Sequence, residues 1–129
     1  MPTGPLTGAF ERLAGARYVQ LSTFRRSGEA VPTPVWPVAG DGRIYAVSGA
    51  SSGKVKRIRA NPRVRLAACT QRGRVVGPTV EGRARVMAAE EGEWVQAARR
   101  RRHPVLARLL ELANRARGER EVAIEVAPA

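Results

Sequence analysis

The sequence predicts a mainly β fold, a small barrel of six or so antiparallel strands with peripheral helices. Three observations predict it. Six short segments are built of alternating or β-branched residues. Gly-containing turns separate several of them, which favours antiparallel hairpins. The helical segments are few, so little else covers the strands, and a sheet closed on itself is the expected solution. At 129 residues the chain is most simply one domain, 1–129, with a small core.

The elements follow in order. A first helix starts near Thr7, covers Ala9 to Leu13 and closes at Gly15. Tyr18 to Phe24 alternates as a half-buried strand, and Ser27-Gly28 is a turn. Ala30 to Val38 returns as a second strand. Its prolines at 32, 34 and 37 imply an edge, a bulge, or backbone facing a ligand. Gly40-Asp41-Gly42 is a tight hairpin turn into a third strand, Arg43 to Ser48. After a short helix come strands at Arg63 to Gln71 and Gly77 to Met87, joined through the turn at Arg72-Gly73-Arg74. A helical region from Ala88 to Arg117 is broken at Pro104 and ended by Gly118. Its first half has Glu90, Glu91 and Glu93 at the start and arginines at the end, as the helix dipole favours. Its second half sets Leu106, Leu109, Leu110 and Ala113 on one face. Glu121 to Val126 is the last strand.

The formal charge of +12 points to an anionic partner: nucleic acid, acidic lipid, or a polyanionic small molecule. The single cysteine, Cys69, makes no intrachain disulfide and is expected as a buried small hydrophobe. The segment Met1 to Leu6 lacks the basic flank and apolar run of a signal peptide, and no stretch has the length of a membrane span. A soluble cytoplasmic protein is therefore expected. His103, the only histidine, is placed at a surface helix junction. One histidine and one cysteine supply neither a zinc set nor a Ser-His-Asp triad. Enzymatic chemistry would then come from a bound cofactor.

The only lysines, Lys54 and Lys56, stand together in Ser51 to Pro62, while the other 21 of the 23 basic residues are arginine. Ser51 or Ser52 can cap a helix here, Val55 and Ile58 share a face, and Asn61-Pro62 stops it. A capped helix start with free N–H groups and an ammonium beside it is a phosphate cradle. The plainer alternative is a short connecting helix with a solvated basic face.

Several segments taken together resemble the flavin-binding split β-barrel superfamily that includes the pyridoxamine 5′-phosphate oxidases. They are Leu21-Ser22-Thr23-Phe24, Gly28 with Val31-Pro32-Thr33-Pro34-Val35-Trp36, Ile44-Tyr45, Ser52 to Val64, and Gly77-Pro78-Thr79-Val80-Glu81-Gly82. The order, with Lys54 seven residues before Asn61-Pro62, carries the resemblance. Within the superfamily the Val31 to Trp36 strand and the Ser52 to Arg59 helix resemble the branch using the deazaflavin coenzyme F-420. Vitamin B6 oxidases typically carry a further basic residue where this chain has Gly53, which argues against that activity.

The resemblance implies an F-420-dependent oxidoreductase acting on an unidentified small organic molecule. Thr33, Pro34, Val35 and Trp36 would hold the ring. Ser52, Gly53 and Lys54 would bind phosphate, helped by Arg57. A groove of Lys54, Lys56, Arg57 and Arg59 would suit the coenzyme's acidic tail. Trp36 by itself reads more readily as a core residue than as a stacking one. A homodimer is implied, with Gln71-Arg72 and Gly77, Pro78 and Thr79 facing the partner's cofactor. No residue is assigned as a catalytic acid, and water is a sufficient proton source. The alternatives are an FMN-binding oxidoreductase of the same fold, a basic nucleic-acid-binding module and a haem-binding split barrel. Few aromatics interleave with the basic residues, which argues against the nucleic-acid module.

Overall fold

The computed structural model describes residues 5–129. The expectation that no leader opens the chain falls on residues that lie partly outside this range. The elements run α1 (Pro5–Ala14), β1 (Tyr18–Phe24), β2 (Ala30–Val35), β3 (Val38–Gly40), β4 (Arg43–Gly49), α2 (Gly53–Ala60), β5 (Arg63–Cys69), β6 (Val80–Val86), α3 (Glu93–Arg102), α4 (Pro104–Ala116) and β7 (Glu121–Pro128). The strands form one antiparallel seven-stranded sheet in the order β2-β1-β5-β6-β7-β4-β3.

The expected strand from Ala30 to Val38 is two strands. β2 ends at Val35 and β3 begins at Val38, and they lie at opposite edges of the sheet. Only Trp36 and Pro37 join them. Three Cα steps of 3.8 Å reach about 11 Å at most. The two edges must therefore approach each other, and the sheet curls into a barrel split along a seam between β2 and β3. The prolines fit this placement. Pro32 and Pro34 sit on an edge strand paired only with β1, opposite Ser22 and Gln20, where a missing N–H is tolerated. At the other edge the β3–β4 hairpin turns through Asp41 and Gly42, both at positive φ, as a two-residue primed turn requires.

The barrel interior is filled. Val19, Leu21, Ile44, Val64, Leu66, Ile124 and Val126 point inward, with Phe10 and Leu13 of α1 and Val55 and Ile58 of α2 in the same cluster. A smaller cluster of Val38, Tyr45, Met87, Val95 and Ala123 seats α3 on the outside of the sheet. Cys69 is buried, as expected of a small hydrophobe.

α4 is mounted with its amphipathic faces reversed. Ala107 is its buried residue, and Glu111 and Asn114 are half-buried beside it. The leucine face points to solvent, with Leu106 51% and Leu109 57% exposed. The inward side is polar because it meets an ion network. Buried Arg99 of α3 donates to Glu121 of β7 at 3.0 and 3.2 Å and to Glu111 at 3.4 Å, and Asn114 donates to Glu121 at 2.8 Å. Among the described residues no helix is long and apolar enough to cross a membrane.

Interior space is tight at Gly82 on β6. A Cβ there would lie 3.0 Å from Leu66 Cδ1 and from Val126 Cγ1, and 3.1 Å from the Ala127 carbonyl oxygen. Gly82→Ala should therefore destabilise the fold by about 1–3 kcal/mol, the cost of overpacking. Urea unfolding should show a lower midpoint at unchanged slope. An unchanged midpoint would mean the barrel interior has slack that the packing does not show.

Candidate functional site

The seam positions a cavity of about 280 Å³. One wall is β2 and its exit: Pro34, Val35 and Trp36. Tyr18 of β1, Val47 of β4 and Lys54 of α2 add to it, and Gln71, Arg99 and Leu110 close the remainder. Each comes from a different local cause. The edge prolines keep β2 free of a second neighbour, so its outer side is open. Ser52 caps α2, accepting from the Val55 N–H at 3.4 Å. Burial of Val55 and Ile58 then fixes the helix rotation that sends Lys54 to the cavity.

Lys54 Nζ donates to Ser48 Oγ at 2.8 Å, and Ser48 Oγ lies 3.0 Å from Ser52 Oγ. It has no carboxylate partner among the described residues, unlike the arginines paired across the outer face of the sheet. Burial, and then the nearby Arg57 charge, lower its pKa from the usual lysine range. An ammonium so placed gains from any anion that enters the cavity. The loop before α2 already shows that preference: the Glu119 carboxylate accepts from the Ser51 N–H at 2.7 Å and from its hydroxyl. The Ser52 N–H is engaged with the Gly49 carbonyl at 3.1 Å. The Gly53 and Lys54 amides, in the first turn of α2, are left as donors.

The structure brings Pro34, Val35, Trp36 and Lys54 together, with Ser52 behind Lys54 through Ser48. Thr33 is half-buried on β2, beyond this lining. The expected groove of four basic residues does not form. At 100° per residue Lys54, Lys56, Arg57 and Arg59 leave α2 in different directions. Arg57 Nε donates to the buried Thr23 hydroxyl at 2.7 Å and its guanidinium folds over Gly53, where a Cβ would be 2.7 Å from Nη1. Lys56 is exposed, and Arg59 lines a separate cavity with Met87 and Arg120. Gly77, Pro78 and Thr79 are also apart: Pro78 borders a small apolar cavity beside α1 with Leu13 and Val80. Gln71, expected to face a partner's site, lines this chain's own cavity.

Two residues gain a role that the sequence did not show. His103 does sit at the α3–α4 junction, but its ring stacks on Trp36 with centroids 4.1 Å apart. Trp36 is thus a half-buried cavity wall rather than a core residue. Burial, and then Arg102, Arg17 and Arg99, lower the His103 pKa, so the ring is neutral at physiological pH. Arg99 looked like one member of a solvated basic run; in fact it is 5% exposed. Its position on α3 beside Val95, both turned inward, is the signal that helical periodicity offered.

The family model described as pyridoxamine 5′-phosphate oxidase matches residues 7–129. No curated protein matches the chain. Similar solved structures include a conserved hypothetical protein of Mycobacterium tuberculosis, 18% identical with a TM-score of 0.68, covering 99% of this chain and 81% of that one. The heme storage protein HutZ of Vibrio cholerae is 14% identical with a TM-score of 0.69, covering 100% and 92%. A FAD-binding protein of Mesorhizobium loti is 21% identical with a TM-score of 0.60, covering 92% and 83%. At these identities the likeness is one of fold.

The lowered Lys54 pKa makes a stability prediction. Folding is penalised while the lysine is charged, fully so below its folded-state pKa. The penalty fades as pH rises toward the ordinary 10.5. Lys54→Met should therefore leave the unliganded protein more stable than wild type at pH 7, with the gain gone above about pH 10.5. Thermal melts at both pH values check it. A less stable variant at pH 7 would mean the Ser48 bond outweighs desolvation.

Proposed function

The chain belongs to the pyridoxamine 5′-phosphate oxidase family, and on that premise we propose that it is an oxidoreductase using coenzyme F-420, with its cofactor phosphate at Lys54. The observation that carries this is the desolvated Lys54 ammonium, without a carboxylate partner, at the start of a helix that borders the seam cavity. The donor set fits a phosphate: one ammonium, the Gly53 and Lys54 amides, and the Ser48 and Ser52 hydroxyls. When bound, such a cofactor supplies hydride transfer to or from a small organic substrate. The chain's own part is to bind and orient. Pro34, Val35 and Trp36 form an apolar flank for a flat ring, with His103 bracing the indole from behind. Thr33, Gly77, Pro78 and Thr79 would serve only at the margin or across a dimer.

FMN is the second reading, and one observation favours it. The basic residues of α2 do not share a groove, so charge alone does not select a long acidic tail. Preference for the deazaflavin rests on the resemblance of β2 and α2. A nucleic-acid role keeps the support of the +12 charge, but the run Arg99 to Arg102 offers it less than its length suggests. Arg99 and Arg100 are paired with Glu111, and Arg102 donates to the carbonyls of Pro37 and Ala16.

The leucine face of α4 supports a homodimer. Five large apolar side chains of this helix are exposed, and Leu110 also lines the cavity, so a copy seated there would finish its wall. Leu109→Glu should convert a dimer to monomer in sedimentation. A wild-type monomer that binds cofactor tightly would contradict the two-copy site.

Calorimetric titration with oxidised coenzyme F-420 and with FMN tests cofactor choice. Lys54→Ala should weaken the preferred cofactor by about 1.5–3 kcal/mol, the range for a hydrogen bond to a charged group. Unchanged affinity would remove Lys54 from the phosphate site, and tighter FMN binding at every salt concentration would make this an FMN protein.

A further inference from the structure

A second cavity, of about 440 Å³, shares no lining residue with the seam cavity. It lies where β6 leaves the sheet. Just past the last β6–β7 pair, Val86 with Ile124, the Met87 N–H donates to the Ala123 carbonyl at 2.9 Å. The turn that follows is pressed onto β7. Gly92 is buried there, and a Cβ on it would lie 2.8 Å from Ala123 Cβ. The cavity is thereby given an aliphatic lining of Val86, Met87, Val122 and Ala123, with Gln96 of α3 as a neutral polar group.

Two arginines border this cavity from different elements: Arg59 in the last turn of α2, and Arg120 just before β7. Neither has a carboxylate partner among the described residues. The neighbouring carboxylates are engaged elsewhere. Glu121, the one acid in the lining, is held by Arg99 at 3.0 and 3.2 Å and by Asn114 at 2.8 Å. Glu119 accepts from Ser51, and Glu91 is held by Arg85. Glu90 and Glu93 are exposed and bridge to neither arginine. With Glu121 offset by Arg99, the lining keeps two positive charges. Two guanidiniums match a dianion, and their forked N–H groups suit phosphate oxygens. A monocarboxylate would leave one charge unmatched. No aromatic side chain lines the cavity, so its walls fit an aliphatic body better than a stacked ring.

We propose that this cavity binds a small phosphate monoester with an aliphatic body, its phosphate held by Arg59 and Arg120 and its chain laid on Val86, Met87 and Val122. The proposal uses no residue of the seam cavity and stands apart from the cofactor reading.

Hexyl phosphate is a suitable probe, titrated calorimetrically into the full chain at about pH 8, where a phosphate monoester is a dianion. It should bind at least tenfold tighter than hexanol, which lacks the charge, and than inorganic phosphate, which lacks the chain. Hexanoate, with one charge, should bind at least fivefold more weakly. Arg59→Gln and Arg120→Gln change exposed side chains and should each weaken hexyl phosphate at least fivefold. Lys54→Met should leave its affinity within twofold. In wild type, the Met87 methyl resonance, identified by its absence from Met87→Leu, should shift as hexyl phosphate saturates. Equal affinity for hexyl phosphate and any of the three comparison probes would overturn the site. So would binding lost in Lys54→Met but kept in both arginine variants, or a Met87 signal unmoved at saturation.

Discussion

The two-residue link between β2 and β3 is the constraint from which the rest follows. Trp36 and Pro37 must span from one edge of a seven-stranded sheet to the other. That forces the sheet to curl, and it leaves a seam instead of a last ladder of hydrogen bonds. The seam is where a cavity can exist without opening the packed interior. It also explains why prolines are tolerated in β2: there is no second neighbour to need their N–H groups. Trp36, at the crossing, cannot enter the filled core and becomes a wall, stacked on His103.

Around this seam the arginines divide into two classes. Seven of the 21 have a carboxylate partner, most of these across the sheet surface or between α3, α4 and β7, where the exposed pairs contribute little individually. A few cations near the seam are held by neutral oxygens only: Lys54 by Ser48, Arg57 by Thr23, Arg102 by two carbonyls. Of these only Lys54 lines the seam cavity, so its charge is the one an anion entering there would meet. The reversed mounting of α4 belongs to the same arrangement. Glu111 and Asn114 must face inward to complete the Arg99 network, so the leucines on the opposite side are turned out.

Much of this was legible from residue order. Alternation at Tyr18 to Phe24, the Ser52 cap with Val55 and Ile58, and the Asn61-Pro62 stop all reappear as β1 and α2. Such features are local, and local rules govern them. The split of the second strand was not legible, because prolines at 32, 34 and 37 mark an interrupted strand without saying that its halves lie on opposite edges. The basic groove on α2 failed because adjacency in sequence was read as adjacency in space. Arg99 and His103 were missed because a run of four arginines reads as solvated; the i,i+4 spacing of Arg99 from Val95 was the one local signal, and the roles themselves come from tertiary packing against Glu121 and Trp36.

The central claim is that the seam cavity holds the cofactor ring beside Trp36. The chain has a second tryptophan, Trp94, packed edge-on against Tyr45 and over Gly40 of β3, outside the lining of the seam cavity. Tryptophan emission from Trp94→Phe therefore reports on Trp36. Titrating that variant with coenzyme F-420, and separately FMN, should quench its emission to saturation at one molecule per site, with the curve displaced to higher concentration in Trp94→Phe/Lys54→Ala. Saturable cofactor binding that leaves Trp36 emission unchanged would place the cofactor elsewhere and contradict the account.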